Sequence, residues 1–308
     1  MRLLSFLFAF LLSGWLPAFA QGDRVQISYT RDASTNDHTS SFVNSNYCDY
    51  TVVVNFSSLQ GLTCSCSLPY TGAVRPGQGR LFTLKASANG QPSFQYSYTS
   101  YKGRLMSKAP ADFVYLLPVA TGKKVLASET KPIGEAMGKE RAEGFYSLAF
   151  KLQPGDTIFA ARRGTVSDLR DAVEPAGQEL WFSRETNFVE IFQADGTFAR
   201  YDKLKKGQIW VKPGDVVESG QPIGLIGGEN FTGGPSLFFS VYFLARKTVG
   251  TQETSYKFQH VKPVFAVQGQ DQGTALTNQQ TYEAVRPETV LFQELSKREA
   301  ARRRQKGK

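Results

Sequence analysis

The pattern of the chain predicts a mostly β protein, with an N-terminal antiparallel β-sandwich, a second, barrel-like β-domain and a C-terminal helix. Short alternating runs separated by Asn, Ser and Gly fill residues 24–104. Further on, two Pro-Gly-Asp segments repeat one hairpin pattern, and helix start and stop signals appear near the C-terminus. At roughly 150 residues per domain, 308 residues suit two domains. With 41% hydrophobic and 13% aromatic residues the chain can bury ordinary cores, which excludes a largely disordered protein. A mean hydropathy of −0.30 and a single long apolar run exclude a multi-span membrane protein. Only two histidines, His38 and His260, are present, so a mechanism needing three imidazoles is excluded.

Residues 1–20 carry one Arg, an apolar run from Leu3 to Leu12, a Gly14/Pro17 break and Ala18-Phe19-Ala20, the layout of a cleaved secretory signal. The mature chain is expected to begin near Gln21. No cysteine follows the cleavage site to take a lipid, so the expected location is the bacterial periplasm or envelope. Residues 21–107 are expected to form the sandwich, with strands at 25–30, 51–56, 80–86 and 94–101. Phe94, Tyr96 and Tyr98 alternate and give that sheet one aromatic-rich face. All three cysteines, Cys48, Cys64 and Cys66, lie here. In an oxidising compartment the expected disulfide joins Cys48 to Cys64 or Cys66, and the sequence does not choose between them. A zinc site on these three lacks a fourth ligand and a suitable spacing.

Gly103–Asp112 marks a boundary, and residues 112–265 are expected to form the second β-domain. Its two related segments are QPGDTIFAARRGTVSDL (153–169) and VKPGDVVESGQPIGLIGG (211–228). Paired hairpins of this kind build lipoyl-like and biotinyl-like barrels, but no Met-Lys tip is present to carry such a group. Residues 266–308 form a C-terminal extension. Pro287 and Glu288 open a helix that basic residues close near Arg304, with Val290, Leu291 and Leu295 placed to dock it. Of the formal +9, a net six charges lie on residues 297–308 and one on Arg2, so the body between is nearly neutral. The basic tail 297–308 is read as a solvated helix end, able to contact an anionic polymer. No specific nucleic-acid partner is expected.

Residues 145–243 resemble the lysostaphin-type, LytM-like zinc metalloendopeptidases of cell-wall metabolism, peptidase family M23. Tyr146-Ser147-Leu148-Ala149-Phe150 stands where the family reads Tyr-Ala-Leu-Asp-Phe. Ala160 to Val166 matches its A-A-R-x-G-x-V, and Ala194-Asp195-Gly196-Thr197 to Tyr201 its A-D-G-T-x-x-x-Y. Gly214-Asp215 to Gly224 is similar to its second hairpin, and Gly234-Pro235-Ser236-Leu237-Phe238-Phe239 to its G-P-H-L-H-F. The segment around Asn46–Val52 resembles the β-domain that precedes the peptidase in some secreted members. The resemblance implies a LytM-like, duplicated-hybrid-motif β-domain.

The resemblance also implies a zinc held by two His and one Asp, with two further His assisting the bound water. At those positions this chain has Phe145, Ala149, Lys203, Ser236 and Phe238. A catalytic zinc needs about three protein ligands and an open position, so neither metal nor cofactor nor catalytic residue is expected. No G-x-S-x-G elbow replaces them. Lys203 is expected to reach solvent, and Asp202, Glu218 and Glu229 are acids that could lie near the groove. The expected function is a non-catalytic envelope pseudopeptidase whose groove binds peptidoglycan or a protein partner, as degenerate members that activate cell-wall amidases do. Tyr201, Lys203, Asn230, Ser236 and Phe238 are its expected groove residues, and the glycine-rich Gly227–Gly234 loop its rim. The rival readings are a structural or assembly component of the envelope and a cell-wall hydrolase with an unorthodox site.

Overall fold

Alternation sets the first seven strands. The computed structural model describes residues 25–88, 91–110, 113–130, 144–174, 177, 183, 185–249 and 253–306, so the expected signal sequence lies outside the described residues. Strands β1 (Val25–Arg31), β2 (His38–Asn44), β4 (Leu62–Cys64) and β6 (Gly77–Ala86) form one antiparallel sheet in the order β1-β2-β6-β4. Strands β3 (Tyr50–Gln60), β5 (Tyr70–Val74) and β7 (Ser93–Lys102) form the facing one, in the order β5-β3-β7. Val25, Ile27, Val52, Val54, Phe82 and Leu84 fill the space between the sheets. The aromatic stripe of β7 faces inward at Phe94, which packs on Tyr29 and Phe56, and at Tyr98, whose hydroxyl donates to the Val25 carbonyl at 3.2 Å. Burial of this apolar area, not ligand binding, explains the stripe.

The cysteine expectation is corrected here. Cys64 pairs with Cys66, their Cα atoms 5.2 Å apart, and Cys48 is free and buried. Cys48 packs with Phe198 and Tyr242 of the second β-domain, away from the sheet that carries Cys64.

The second region is one large sheet with a small companion. The large sheet contains β8 (Leu105–Met106), β10 (Lys124–Glu129), β11 (Leu148–Lys151), β12 (Thr157–Phe159), β13 (Gly164–Arg170) and β14 (Asn187–Phe192). It continues with β15 (Phe198–Ile209), β16 (Val216–Val217), β17 (Pro222–Ile226), β18 (Ser236–Val249), β19 (Glu253–Val261) and β22 (Gln280–Glu283). Strands β9 (Val114–Leu116), β20 (Val264–Val267) and β21 (Gln270–Ala275) form the companion. The two Pro-Gly-Asp segments pair with each other, β12 against β17 and β13 against β16. Their turns share one chemistry. Asp156 accepts from the Gln153 amide at 2.7 Å and Asp215 from the Lys212 amide at 3.0 Å, each closing a turn whose glycine sits at positive φ.

The two regions meet at Gly103. Its φ is +102°, and a Cβ there would lie 3.0 Å from the Phe198 ring, so glycine is required twice over. Thr51 ties the junction, donating to the Gly103 carbonyl at 2.8 Å and accepting from the Leu105 amide at 2.9 Å.

The expected single C-terminal helix is instead two, α1 (Glu288–Leu291) and α2 (Lys297–Lys306). The break has a cause: Glu294 turns inward to the buried Arg162, with contacts of 2.9 and 2.7 Å. Ser296 and Glu299 then restart the helix as a capping box, in which each side chain accepts from the other's backbone amide. Arg303 binds Glu218 at 2.7 Å and Arg163 approaches Glu299 at 3.6 Å, so the basic helix docks on the body and is not a frayed end.

Candidate functional site

Strands β11, β18 and β15 lie side by side, and their register places Ala149 opposite Phe238 and Phe238 opposite Asp202. Phe145 enters β11 with its ring 4.8 Å from that of His260 on β19. The sheet thus gathers Phe145, Ala149 and Phe238 on one face. Ser236 lies at the start of β18, opposite Lys151 and outside the lining of both cavities described below.

Lys203 reaches the site by a backbone irregularity. Between β14 and β15 the register runs Asn187↔Leu204 and then Phe188↔Asp202, so Lys203 is the extra residue of a bulge. It adopts φ +72°, the left-handed region that costs a side-chain-bearing residue of order 1 kcal/mol. Strict alternation would put Lys203 on the face of Tyr201, which is wholly buried. The bulge turns it out instead, and its carbonyl accepts from the Gly227 amide at 2.8 Å, the first residue of the rim. Tyr201 is therefore core and not groove: its hydroxyl accepts from the Ala161 amide at 2.7 Å.

The Lys203 side chain is half-buried and not freely extended into solvent. Nζ lies 4.0 Å from the centroid of Phe231 on the rim and 4.0 Å from that of Phe238 on the floor. Burial lowers its pKa from 10.5 to about 8 against the opposing pull of Asp202. The two rings supply cation–π attraction in place of a carboxylate.

This Lys203–Phe231–Phe238 stack divides two recesses. One, of about 580 Å³, lies under the rim and is lined by Lys203, Asn230, Phe231 and the Lys205–Glu229 ion pair (2.9 Å). The other, of about 410 Å³, lies on the sheet face and is lined by Phe145, Arg200, Asp202, Phe238, Tyr242, Phe258 and His260, among others. Arg200 grips Asp202 through two contacts of 2.9 and 3.0 Å. Burial works against the Arg200 charge, but Asp202 holds its pKa above the ordinary value. Tyr242 donates to Glu190, which also pairs with Lys102 of the sandwich, so this end of the recess leans on the N-terminal region. Burial lowers the His260 pKa. Of the three acids noted in the sequence, Asp202 lines the sheet-face recess and Glu229 the other, while Glu218 lies beside α2.

Sequence reasoning missed His260, Phe258, Phe231 and Arg200. The β19 pattern Tyr256-x-Phe258-x-His260 puts these three on one face, but only the pairing of β19 with β18 brings that face to the recess.

The donor set does not fit a zinc. Phe145, Ala149 and Phe238 present hydrocarbon, and the Lys203 ammonium would repel a dication. Among the described residues no three His, Cys, Asp or Glu side chains are placed to hold a metal ion. No helix among them is long and apolar enough to cross a membrane.

Residues 143–251 match the model of peptidase family M23. Among solved structures, the chain is similar to the catalytic domain of the antimicrobial peptidase lysostaphin from Staphylococcus simulans. That match has 24% identity and a TM-score of 0.27, covering 39% of this chain and 78% of that one. It is also similar to Csd3 of Helicobacter pylori, at 14% identity and a TM-score of 0.31 over 92% of this chain and 77% of that one. A third is a zinc-containing peptidase from Vibrio cholerae, at 15% identity and a TM-score of 0.27 over 71% and 75%. No curated protein matches the chain.

Proposed function

We propose that this chain, whose residues 143–251 match the model of peptidase family M23, is an exported, non-catalytic member that uses the former active-site groove to bind peptidoglycan. One observation carries the reading. The ligand positions now carry the apolar side chains of Phe145, Ala149 and Phe238, with a lysine ammonium held between two aromatic rings. Such a site has no means of lowering the pKa of a water from about 15.7 to about 7, as a catalytic zinc does. It still offers two recesses and a rim in which a wall fragment can lie.

The test is co-sedimentation of residues 21–308 with purified sacculi at low and high salt, alongside zinc analysis and a turnover assay on the same sacculi. The expected outcome is salt-resistant binding, no stoichiometric zinc and no release of soluble fragments. Binding should persist in Arg298→Gln/Arg302→Gln, which removes two exposed charges of α2. Binding that vanishes with salt or with those charges would reduce the interaction to tail electrostatics. Fragment release would restore the hydrolase reading.

A further inference from the structure

We propose that the recess floored by Arg200, Asp202 and Tyr242 and walled by Phe145, Phe258 and His260 is a subsite for an uncharged pyranose ring of a glycan. The inference rests on the groove-binding reading above and specifies which part of the wall polymer lies there.

The first argument is the imidazole. His260 lines the recess and burial lowers its pKa, so at neutral pH the ring brings no charge to hold an anion.

The second is charge. Arg200 and Asp202 satisfy each other through two contacts, so the floor is a neutral pair with donor hydrogens of the guanidinium and carboxylate lone pairs still available. A charged ligand would find no counter-charge there. Hydroxyls, which both donate and accept, match such a pair.

The third is shape. Tyr242 and Phe258 meet at 67°, Phe145 and His260 at 51°, and Tyr242 and His260 at 53°. These inclined rings form a cup and not a parallel slot, so they suit a puckered ring with C–H groups on both faces better than a flat base. Phe258 is 44% exposed, leaving its face open to such dispersion contacts.

The fourth argument sets a sugar against an extended peptide. A peptide that binds by strand addition needs an unpaired strand edge. Over the floor, β15 is paired with β14 and β18, and β18 with β15 and with β11 and β19. Recognition over the floor falls to side chains of paired strands; β19, which carries Phe258 and His260, pairs only with β18 among the described strands and keeps its outer edge.

The experiment titrates residues 21–308 with triacetylchitotriose and with cellotriose by calorimetry, beside the sacculus assay. At least one triose should bind, and Phe258→Ala and His260→Ala should each raise its Kd at least tenfold. Phe258→Trp, which keeps an aromatic face, should retain binding. If neither triose binds while sacculi still co-sediment, the subsite is wrong and the groove reading survives. If neither triose nor sacculi bind, both fall. A Kd unmoved by these variants would place the sugar elsewhere and overturn the assignment. So would a neutral alanine pentapeptide that binds where the trioses do not and loses affinity in the same variants.

Discussion

Two cations, the buried Arg162 and the half-buried Lys203, show how differently one β-domain can hold a positive charge. The Arg162 side chain is wholly buried and meets Asp195 at 2.6 Å and Glu294 at 2.7 Å, with its guanidinium 3.5 Å from the Phe113 ring centroid. Burial opposes its charge, but the bonds to Glu294 and the field of Asp195 more than offset this and push its pKa up. Lys203 makes the opposite bargain. It has two aromatic faces and, among the described residues, no carboxylate bonded to its ammonium, and its pKa falls to about 8. The first cation is a permanent structural bolt between the second β-domain and the C-terminal extension. The second is a charge the protein can lose within a mildly alkaline range, and it stands in the groove.

The largest effect should come from breaking the bolt. Glu294→Ala leaves Arg162 with half its compensation, and removing one partner of a buried pair costs about 3–5 kcal/mol. Lys203→Met strands no partner and keeps the stack apolar, so it should cost less than about 1 kcal/mol. Urea unfolding of both variants measures the difference, and equal losses would break the comparison. The next effect is in pH. Between about pH 8 and the ordinary lysine value of 10.5, the unfolded chain holds a proton that the folded chain has released. Stability is therefore expected to rise with pH across that window. The rise should be present in the wild type relative to Lys203→Met; superimposable pH profiles would show that the ammonium is not buried as described.

These sites also mark the limits of what the sequence discloses. The sandwich strands and the paired Pro-Gly-Asp hairpins were legible because alternation and turn chemistry are local, and the turns at Asp156 and Asp215 close as their residues dictate. The family frame was legible because its motifs recur in order, which led to Phe145, Ala149 and Phe238. The expectation for Tyr201 was wrong because a period of two puts it on one face with Lys203, which lies in the groove, and the bulge at Lys203 separates them. The helix break was hidden because Glu294 looks like any exposed helical acid until Arg162 is seen beneath it. His260 entered the sequence reading only as one of two histidines, too few for a three-imidazole mechanism. Its place depends on the long β18–β19 hairpin, whose register no short motif fixes.

The smallest effect, and the sharpest check on the junction between the two regions, concerns a third ionisable group. Cys48 is the neutral extreme of the series that Arg162 opens. Burial among Phe198 and Tyr242 raises its pKa to about 12, so almost no thiolate exists at neutral pH and the reactive form is absent. Cys64 and Cys66 are joined to each other. The native protein should therefore show no thiol reactive toward a disulfide reagent at pH 8, and one thiol per chain in denaturant. Cys48→Ala should cost only about 1 kcal/mol, since it trades a small apolar contact for a small void. Reactivity of Cys48 in the native state would mean that the sandwich swings away from Phe198. Because Glu190 links Tyr242 to Lys102 of the sandwich, that motion would disturb the groove as well. Protection of Cys48 thus tests whether the end of the groove nearest Tyr242 is built by one region of the molecule or by two.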